Sequence, residues 1–384
     1  MKVAVLGYGT VGAGVYSMLS DAPGMEAGPV IVRPGKAVEN FMVSDAALIF
    51  GDPTVDAVVE TLGGLDPAYS YGMRALEAGK HFITANKAMV AAHGLELAAL
   101  AREKGAAFLF SAACGGGVPF LHNLALSAET DRIEAVSGIL NGTTNYMLDA
   151  MQRRSLSYGD ALREAQSLGY AESDPTADVS GLDALRKMQL ACAVAFGVLP
   201  QSGMLCEGME HFTAADVEDI QSRGLVCRLM ARGSRAGESV SAYVEPVLFP
   251  RAAPESSVFT NNNMARYTGK RCGSIVLMGQ GAGRFPTASA GLRDLSAAQQ
   301  GARSMFPENC RAAEADNREA VNSYYIRTGG FAAVRLPLRS VLAQGEVVRA
   351  VTEPMSAEKM HALAQNIRKD GNDLFFAALE EELC

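Results

Sequence analysis

The densest group of side chains able to move protons lies between Gly169 and Lys187, in the run GYAESDPTADVSGLDALRK. Glu172, Asp174, Asp178 and Asp183 precede Arg186 and Lys187, and the apolar run MQLACAVAFG follows. Asp183 and Lys187 stand four apart with the acid first, so on a helix their side chains are neighbours. Two readings are open. One is a surface ion pair, which contributes little. The other is a lysine held near a carboxylate at the rim of a pocket, able to give or take a proton, with further carboxylates to grip a cationic substrate. The Gly-Tyr-Ala-Glu start and the Asp174-Pro175 break favour the second, because they describe an extended acidic loop delivered to a helix N-terminus. Ser180 followed by Asp183 predicts a capping box, hence a helix from about Gly181 to Phe196 with Leu182, Leu185, Cys192 and Phe196 on one stripe.

Other elements must bring partners to that lysine. Lys2-Val3-Ala4-Val5-Leu6 is a short apolar strand followed directly by Gly7-Tyr8-Gly9-Thr10-Val11-Gly12, the dinucleotide fingerprint with a strand before it and a helix after. Gly7 makes the tight turn, Gly9 lets the backbone approach a pyrophosphate, and Gly12 lets helix and strand pack closely. The freed amides at the helix start, over Tyr8, Thr10 and Val11, then hold the phosphates. The next strand, Val30 to Arg33, offers Arg33 and Lys36 where an NAD-preferring enzyme often places an acid. Two cations there suit a 2′-phosphate and favour NADP over NAD; a pair of solvated charges is the alternative. Asp56 to Glu60 predicts a strand ending in Thr61-Leu62-Gly63-Gly64, where Thr61 and Gly63 permit close approach of a ligand. A helix over Pro67 to Ala78 and a strand over His81 to Thr84 lead to Lys87, which faces the ligand crevice of an open parallel sheet. A helix near Gly94 to Lys104 and a strand from Ala106 to Phe110 complete this part.

Ser111 to Pro119 is a glycine-rich crossover into a helix. Ile133 to Leu140 reads as a strand, and Asn141-Gly142-Thr143-Thr144 as the start of a helix whose amides, at Gly142 and Thr143, can take a carboxylate or a carboxamide. Arg228 to Ala231 and Ser239 to Leu248 alternate as sheet strands, suggesting an open α+β layer. Ile275 to Met278 runs into Gly279-Gln280-Gly281-Ala282-Gly283, and a helix over Ala288 to Met305 fits a return to the first domain, with Gly281 and Gly283 against the cofactor. The fold class expected is α/β. An N-terminal Rossmann-type dinucleotide-binding domain covers 1–113 and about 284–320, an α+β substrate-binding domain covers 114–283, and a small C-terminal α+β tail covers 321–384.

Bulk composition narrows the class of function. A chain of 384 residues, 48% hydrophobic and 20% charged, has the profile of a soluble globular enzyme with two or three domains. The net charge of −8, with no basic block, argues against nucleic acid and against a membrane surface. No apolar run reaches spanning length, and the strand at the N-terminus leaves no room for a signal peptide. Seven cysteines without paired short spacing read as reduced cytoplasmic thiols, and the scattered histidines predict no transition-metal site.

Several of these stretches together resemble homoserine dehydrogenases. The resemblance rests on Gly169-Tyr170-Ala171-Glu172, Asp174-Pro175, Asp178-Val179, Gly181 and Asp183 through Lys187, and also on Val-Glu-Thr-Leu-Gly-Gly, Thr-Ala-Asn-Lys and Asn-Gly-Thr, which fall in the family's order. It implies NAD(P)-dependent interconversion of L-homoserine and L-aspartate 4-semialdehyde, a step toward threonine, methionine and isoleucine. Lys187 becomes the acid-base group, with Lys87 holding the oxygen or sharing the proton relay. Glu172 and Asp183 bind the substrate's ammonium and hydroxyl, Asp178 steers Lys187, and Tyr170, Gly142 and Thr143 complete the substrate site, with Gly169 beside the cofactor. Two nearby lysines are expected to lower each other's pKa.

The same resemblance implies a small-molecule substrate and a homodimer or higher homo-oligomer built on the 114–283 domain. It also implies a Na+ or K+ site of backbone oxygens at Ser111, Cys114, Gly116 and Val118. Position 111 departs from the family's usual glutamate, and a hinge without an ion is the other reading. The tail opens on Tyr324-Tyr325-Ile326-Arg327, similar to the start of an ACT regulatory module but without its usual turn, so a diverged ACT-like module and an oligomerisation element both stay open. The alternative functions are a related amino-acid or semialdehyde dehydrogenase and a catalytically silent cofactor-binding regulator.

Overall fold

The computed structural model describes residues 1–333 and 335–380. In the first lobe six parallel strands lie in the order Met42–Val43, Glu26–Ile31, Lys2–Leu6, Ala57–Glu60, His81–Thr84, Phe108–Leu109. The order reverses between Lys2–Leu6 and Ala57–Glu60, and the crevice at the carboxyl ends of those two strands is the ligand position in sheets of this kind. Val3 to Leu6 and Ala57 to Glu60 are buried without a break, as strands covered on both faces must be. The helices Thr10–Leu19 and Arg284–Gln299 pack on one another; a Cβ at Gly14 would lie 2.9 Å from the backbone oxygen of Arg284. The late helix thus begins before its expected start at 288 and returns the chain to the first lobe.

Two expected boundaries shift, each for a local reason. The second strand is Glu26–Ile31 rather than 30–33, because Gly28, which looks like a breaker, passes the backbone of Val3, whose oxygen would be 3.0 Å from a Cβ there. Arg33 therefore sits in the loop beyond the strand. The helix expected from Gly94 begins at Lys87, since Asn86 caps it by accepting from the Met89 amide at 3.1 Å. Its internal Gly94 makes room for Phe306.

The second lobe is built on one long sheet. Its path is Gly273–Gln280, Asn262–Gly269, Ile133–Ile139, Leu225–Ala236, Ser239–Pro250, Leu374–Leu379, Tyr324–Gly329, Val347–Thr352, Leu338–Ala343, with Leu205–Cys206 pairing onto Ser239–Pro250. The tail strands therefore extend this sheet, joined to it by the parallel pair Ser239–Pro250 and Leu374–Leu379. The helix Leu182–Phe196 lies on the sheet, against Ile133–Ile139, Leu225–Ala236 and Ser239–Pro250. From Ala184 to Phe196 every residue but Arg186 is buried, so the helix is apolar all round rather than striped, and the expected stripe residue Leu182 is exposed. The capping box is not formed. Gly181 is the N-cap at φ +83° with no side-chain bond, and the buried Ser180 hydroxyl has no partner.

Candidate active site

Asp183 stands between two ammonium groups. Its Oδ2 is 2.6 Å from Lys187 Nζ and its Oδ1 is 3.1 Å from Lys87 Nζ. The first contact follows from helix spacing, whereas the second joins the lobes, because Lys87 is the first residue of its own helix. Burial raises the pKa of Asp183, but the charges of Lys187 and Lys87 outweigh it and hold the carboxyl well below its usual range. For Lys187, burial presses downward and the Asp183 charge more than reverses this, so its pKa is raised. For Lys187 this corrects the expected depression, because the Asp183 carboxylate beside it favours the charged amine. Lys187 also donates to Leu140 O at 2.5 Å. An ammonium has three donors, so one remains for the cavity it lines.

That cavity has a volume of about 470 Å³ and lies between the lobes. Val11, Lys87, Gly116, Gly142, Thr143, Gly169, Tyr170, Asp178, Asp183, Lys187, Gly281 and Gly283 all line it. Asp178 faces it with a pKa raised by burial, against the hydrogen bond from Asn141. Glu172 is not brought there. Its side chain is exposed, and Gln166 Nε2 donates to its backbone oxygen on the outside of the loop. A residue left out of the candidate set joins the carboxylates instead. Asn141 Nδ2 donates to Asp178 Oδ1 at 2.7 Å and to Asp183 Oδ2 at 3.0 Å, while its Oδ1 caps the helix Gly142–Arg154 through the Thr144 amide. Its presence in an Asn-Gly-Thr helix start was the available signal.

A second, adjoining cleft of about 1080 Å³ follows the fingerprint. Gly7, Tyr8, Gly9, Arg33, Lys36 and Thr61 line it, together with Phe41 and Glu39. Nothing lies within 4 Å of where a Cβ of Gly9 would be, and the helix after it has no side-chain cap and no acid in its first turn. Its amides are therefore free for an anion. Gly12 does not line the cleft. A Cβ there would be 2.0 Å from Gly7 O, so its role is the close pass of helix and strand. Thr10 and Gly63 also line neither cavity. The Gly63 amide and that of Leu62 are turned to Glu60 Oε1, while Thr84 Oγ1 donates to Glu60 Oε2 at 2.5 Å. Glu60 is buried, its pKa raised by that burial, and it ties together the ends of two strands just ahead of Lys87.

In the crossover, the Ser111 and Val118 carbonyls accept from the amides of Cys114 and Phe120. Cys114 is buried with its thiol pKa pushed up to about 12, and its Sγ is 3.9 Å from Lys187 O. The carboxylate bonded to the start of this segment is Asp294. It accepts the Ser111 amide at 2.7 Å through Oδ2, has a buried Oδ1 with no partner, and burial pushes its pKa up to about 7. Among the described residues no group of three or more His, Cys, Asp or Glu could hold a metal ion, and no helix is long and apolar enough to cross a membrane.

Comparison with known proteins draws these parts together. A family model described as the NAD binding domain of homoserine dehydrogenase matches residues 7–111, and one described as homoserine dehydrogenase matches residues 119–296. The homoserine dehydrogenase of Corynebacterium glutamicum is 38% identical over 314 residues, covering 76% of this chain and 70% of that protein. The crystal structure of a homoserine dehydrogenase from Thiobacillus denitrificans superposes with a TM-score of 0.87 at 29% identity, covering 99% of this chain and 98% of the other. A hyperthermophilic archaeal homoserine dehydrogenase in complex with NADPH shares the fold, with a TM-score of 0.67 at 24% identity over 81% of this chain and 99% of that one.

Proposed function

The chain belongs to the homoserine dehydrogenase family, and from that premise we propose how its residues carry the reaction. The protein is an NAD(P)-dependent oxidoreductase that interconverts L-homoserine and L-aspartate 4-semialdehyde in amino-acid biosynthesis. The bound nicotinamide supplies or accepts the hydride. In the reductive direction the Lys187 ammonium gives its proton to the oxygen as the carbonyl carbon receives hydride, and in the oxidative direction the Lys187 amine takes it back. Lys87 adds a second positive charge where alkoxide develops. Asp183 holds both amines at one point, and Asp178 takes the substrate's ammonium with Asn141 bridging the two carboxylates. Gly142, Thr143 and Tyr170 shape the rest of the substrate site. The observation that carries this reading is the bridge from Lys87 through Asp183 to Lys187 across the two lobes.

Arg33 and Lys36 on the second cleft support NADP over NAD. The unit holding the cofactor would be 1–113 with about 284–320, the substrate unit 114–283, and 321–384 the tail. For a Na+ or K+ ion, the backbone oxygens of Ser111, Cys114, Gly116 and Val118 would be the ligands, with Asp294, which accepts the Ser111 amide, as the neighbouring acid. Such an ion would order the crossover. A homodimer is supported by the open edge strand Gly273–Gln280, which exposes Val276 and Met278 without a lysine or proline to block pairing. Free thiols at the described cysteines support a cytoplasmic setting.

A substrate panel tests the assignment. L-homoserine should be the preferred alcohol, and 4-hydroxybutyrate, which lacks the ammonium, should lose about 10⁴-fold in kcat/KM because the half-buried Asp178 carboxylate is left without its counter-charge. Equal turnover of the two would remove the proposed carboxylate grip.

A further inference from the structure

The turn that presents Asp178 and Asp183 is held from behind by the segment Cys206–Phe212. The Met209 amide donates to Val179 O at 2.9 Å, and the Cys206 thiol lies 3.0 Å from Ser180 O. Gly208 passes so close that a Cβ would be 2.3 Å from Val179 O. Nothing about this segment suggests rigidity from its own sequence. Its other side, however, is gripped by the tail. Arg368 makes a two-pronged bond to Glu207, at 2.9 and 2.7 Å, and is itself anchored to Leu374 O. Arg327 donates to His211 O at 2.8 Å while bonding Asp216 and Asp373. His211 Nδ1 is 3.0 Å from Asp373 Oδ1, and the Phe212 and Phe375 rings are 5.2 Å apart.

We propose that Arg368 of the C-terminal tail is a positioning residue for the substrate turn: its bond to Glu207 fixes Cys206–Phe212, which in turn fixes Val179 and Ser180 and hence the carboxylates of Asp178 and Asp183. The proposal rests on the reading of Asp178 as the substrate grip and of Asp183 as the holder of the two lysines. It gives the tail a role in the reaction that needs no effector. A two-pronged arginine–carboxylate bond defines orientation as well as distance, and both side chains are largely buried, so water does not relax the geometry. Gly181, at φ +83°, has Val244 Cγ1 and Cys206 Sγ close to where a Cβ would be, so the turn cannot drift toward the sheet or the segment the tail holds.

The test uses the full chain with Arg368→Met, Glu207→Gln and the double variant, measuring kcat, KM for L-homoserine, KM for NADP+ and the thermal midpoint. The homoserine KM should rise about tenfold in each single variant, since small displacements of binding groups are costly, and no further in the double. The NADP+ KM should be unchanged, and Arg368→Lys should be intermediate because it keeps the charge but loses the fork. A merely structural role would lower the thermal midpoint and kcat and leave the homoserine KM alone. Should Arg368→Met fail to fold, Glu207→Gln, nearly equal in shape, carries the test. A parental homoserine KM in a folded single variant, or increments that multiply in the double, overturns the clamp. Asp178→Asn, which weakens the proposed grip on the substrate ammonium, run alongside separates the two layers. A raised KM there with parental KM in Arg368→Met sinks the clamp alone, and parental KM in both sinks the site reading and the clamp with it.

Discussion

Replacing Asp183 by asparagine removes one charge and almost no volume, so it probes the electrostatics of the bridge without opening a cavity. The two ammonium groups lie at 2.6 and 3.1 Å. Opposite unit charges about 3 Å apart attract by about 5 to 6 kcal/mol at an effective dielectric of about 20. Lys87 is a third exposed, so water weakens its share, and losing one partner of a buried pair costs about 3–5 kcal/mol. Expressed in the transition state, that is a loss of roughly two to four orders of magnitude in kcat/KM for homoserine. A second signature separates this from general damage. Without Asp183, the burial that presses the Lys187 pKa down is opposed by far less charge, so the ammonium gives up its proton more readily. The alkaline limb of homoserine oxidation, followed by nicotinamide absorbance across a pH series, therefore moves to lower pH in Asp183→Asn. Parental kcat/KM, or a limb displaced to higher pH, would refute the reasoning.

Three further outcomes follow from the geometry. In the parent protein, homoserine oxidation should keep accelerating into the alkaline range, because the raised pKa of Lys187 keeps the proton on the amine that must accept one; aspartate semialdehyde reduction, which uses the ammonium, should show no parallel gain. The Gly12→Ala variant forces a methyl group into contact with Gly7 O, so it should cost about 1–3 kcal/mol and weaken NADPH binding, as read by thermal midpoint and cofactor titration. Joint replacement of Arg33 and Lys36 by glutamine should raise the NADP+ KM by at least about tenfold, the value of a charged hydrogen bond, and leave the NAD+ KM unchanged; equal shifts for both cofactors would remove the 2′-phosphate role.

Local sequence carried the parts of the site whose partners are close in the chain. Lys187 and Asp183 are one helical turn apart, and the turn at Gly7 to Gly12 precedes its own helix, so spacing alone located them. The contribution of Asn141 was hidden because its carboxylate partners lie 37 and 42 residues away. Glu172 misled for a related reason: in an acidic loop every carboxylate looks equally available, and only the path of the backbone turns this one outward. The capping pattern at Ser180 failed because Gly181 takes a left-handed conformation and Asp183 is drawn to the lysines instead. The tail's place was unreadable from its own residues, since what defines it is a parallel pairing with Ser239–Pro250, far away in sequence.

The most direct test of the account is a single turnover of Lys187→Met loaded with NADPH and mixed with L-aspartate 4-semialdehyde. The account predicts that hydride transfer slows by about 10²- to 10⁴-fold, the share expected of a positioned proton donor, while the NADPH dissociation constant stays at the parental value. Transfer at the parental rate would contradict it, and the proton would have to come from some other group in the cavity.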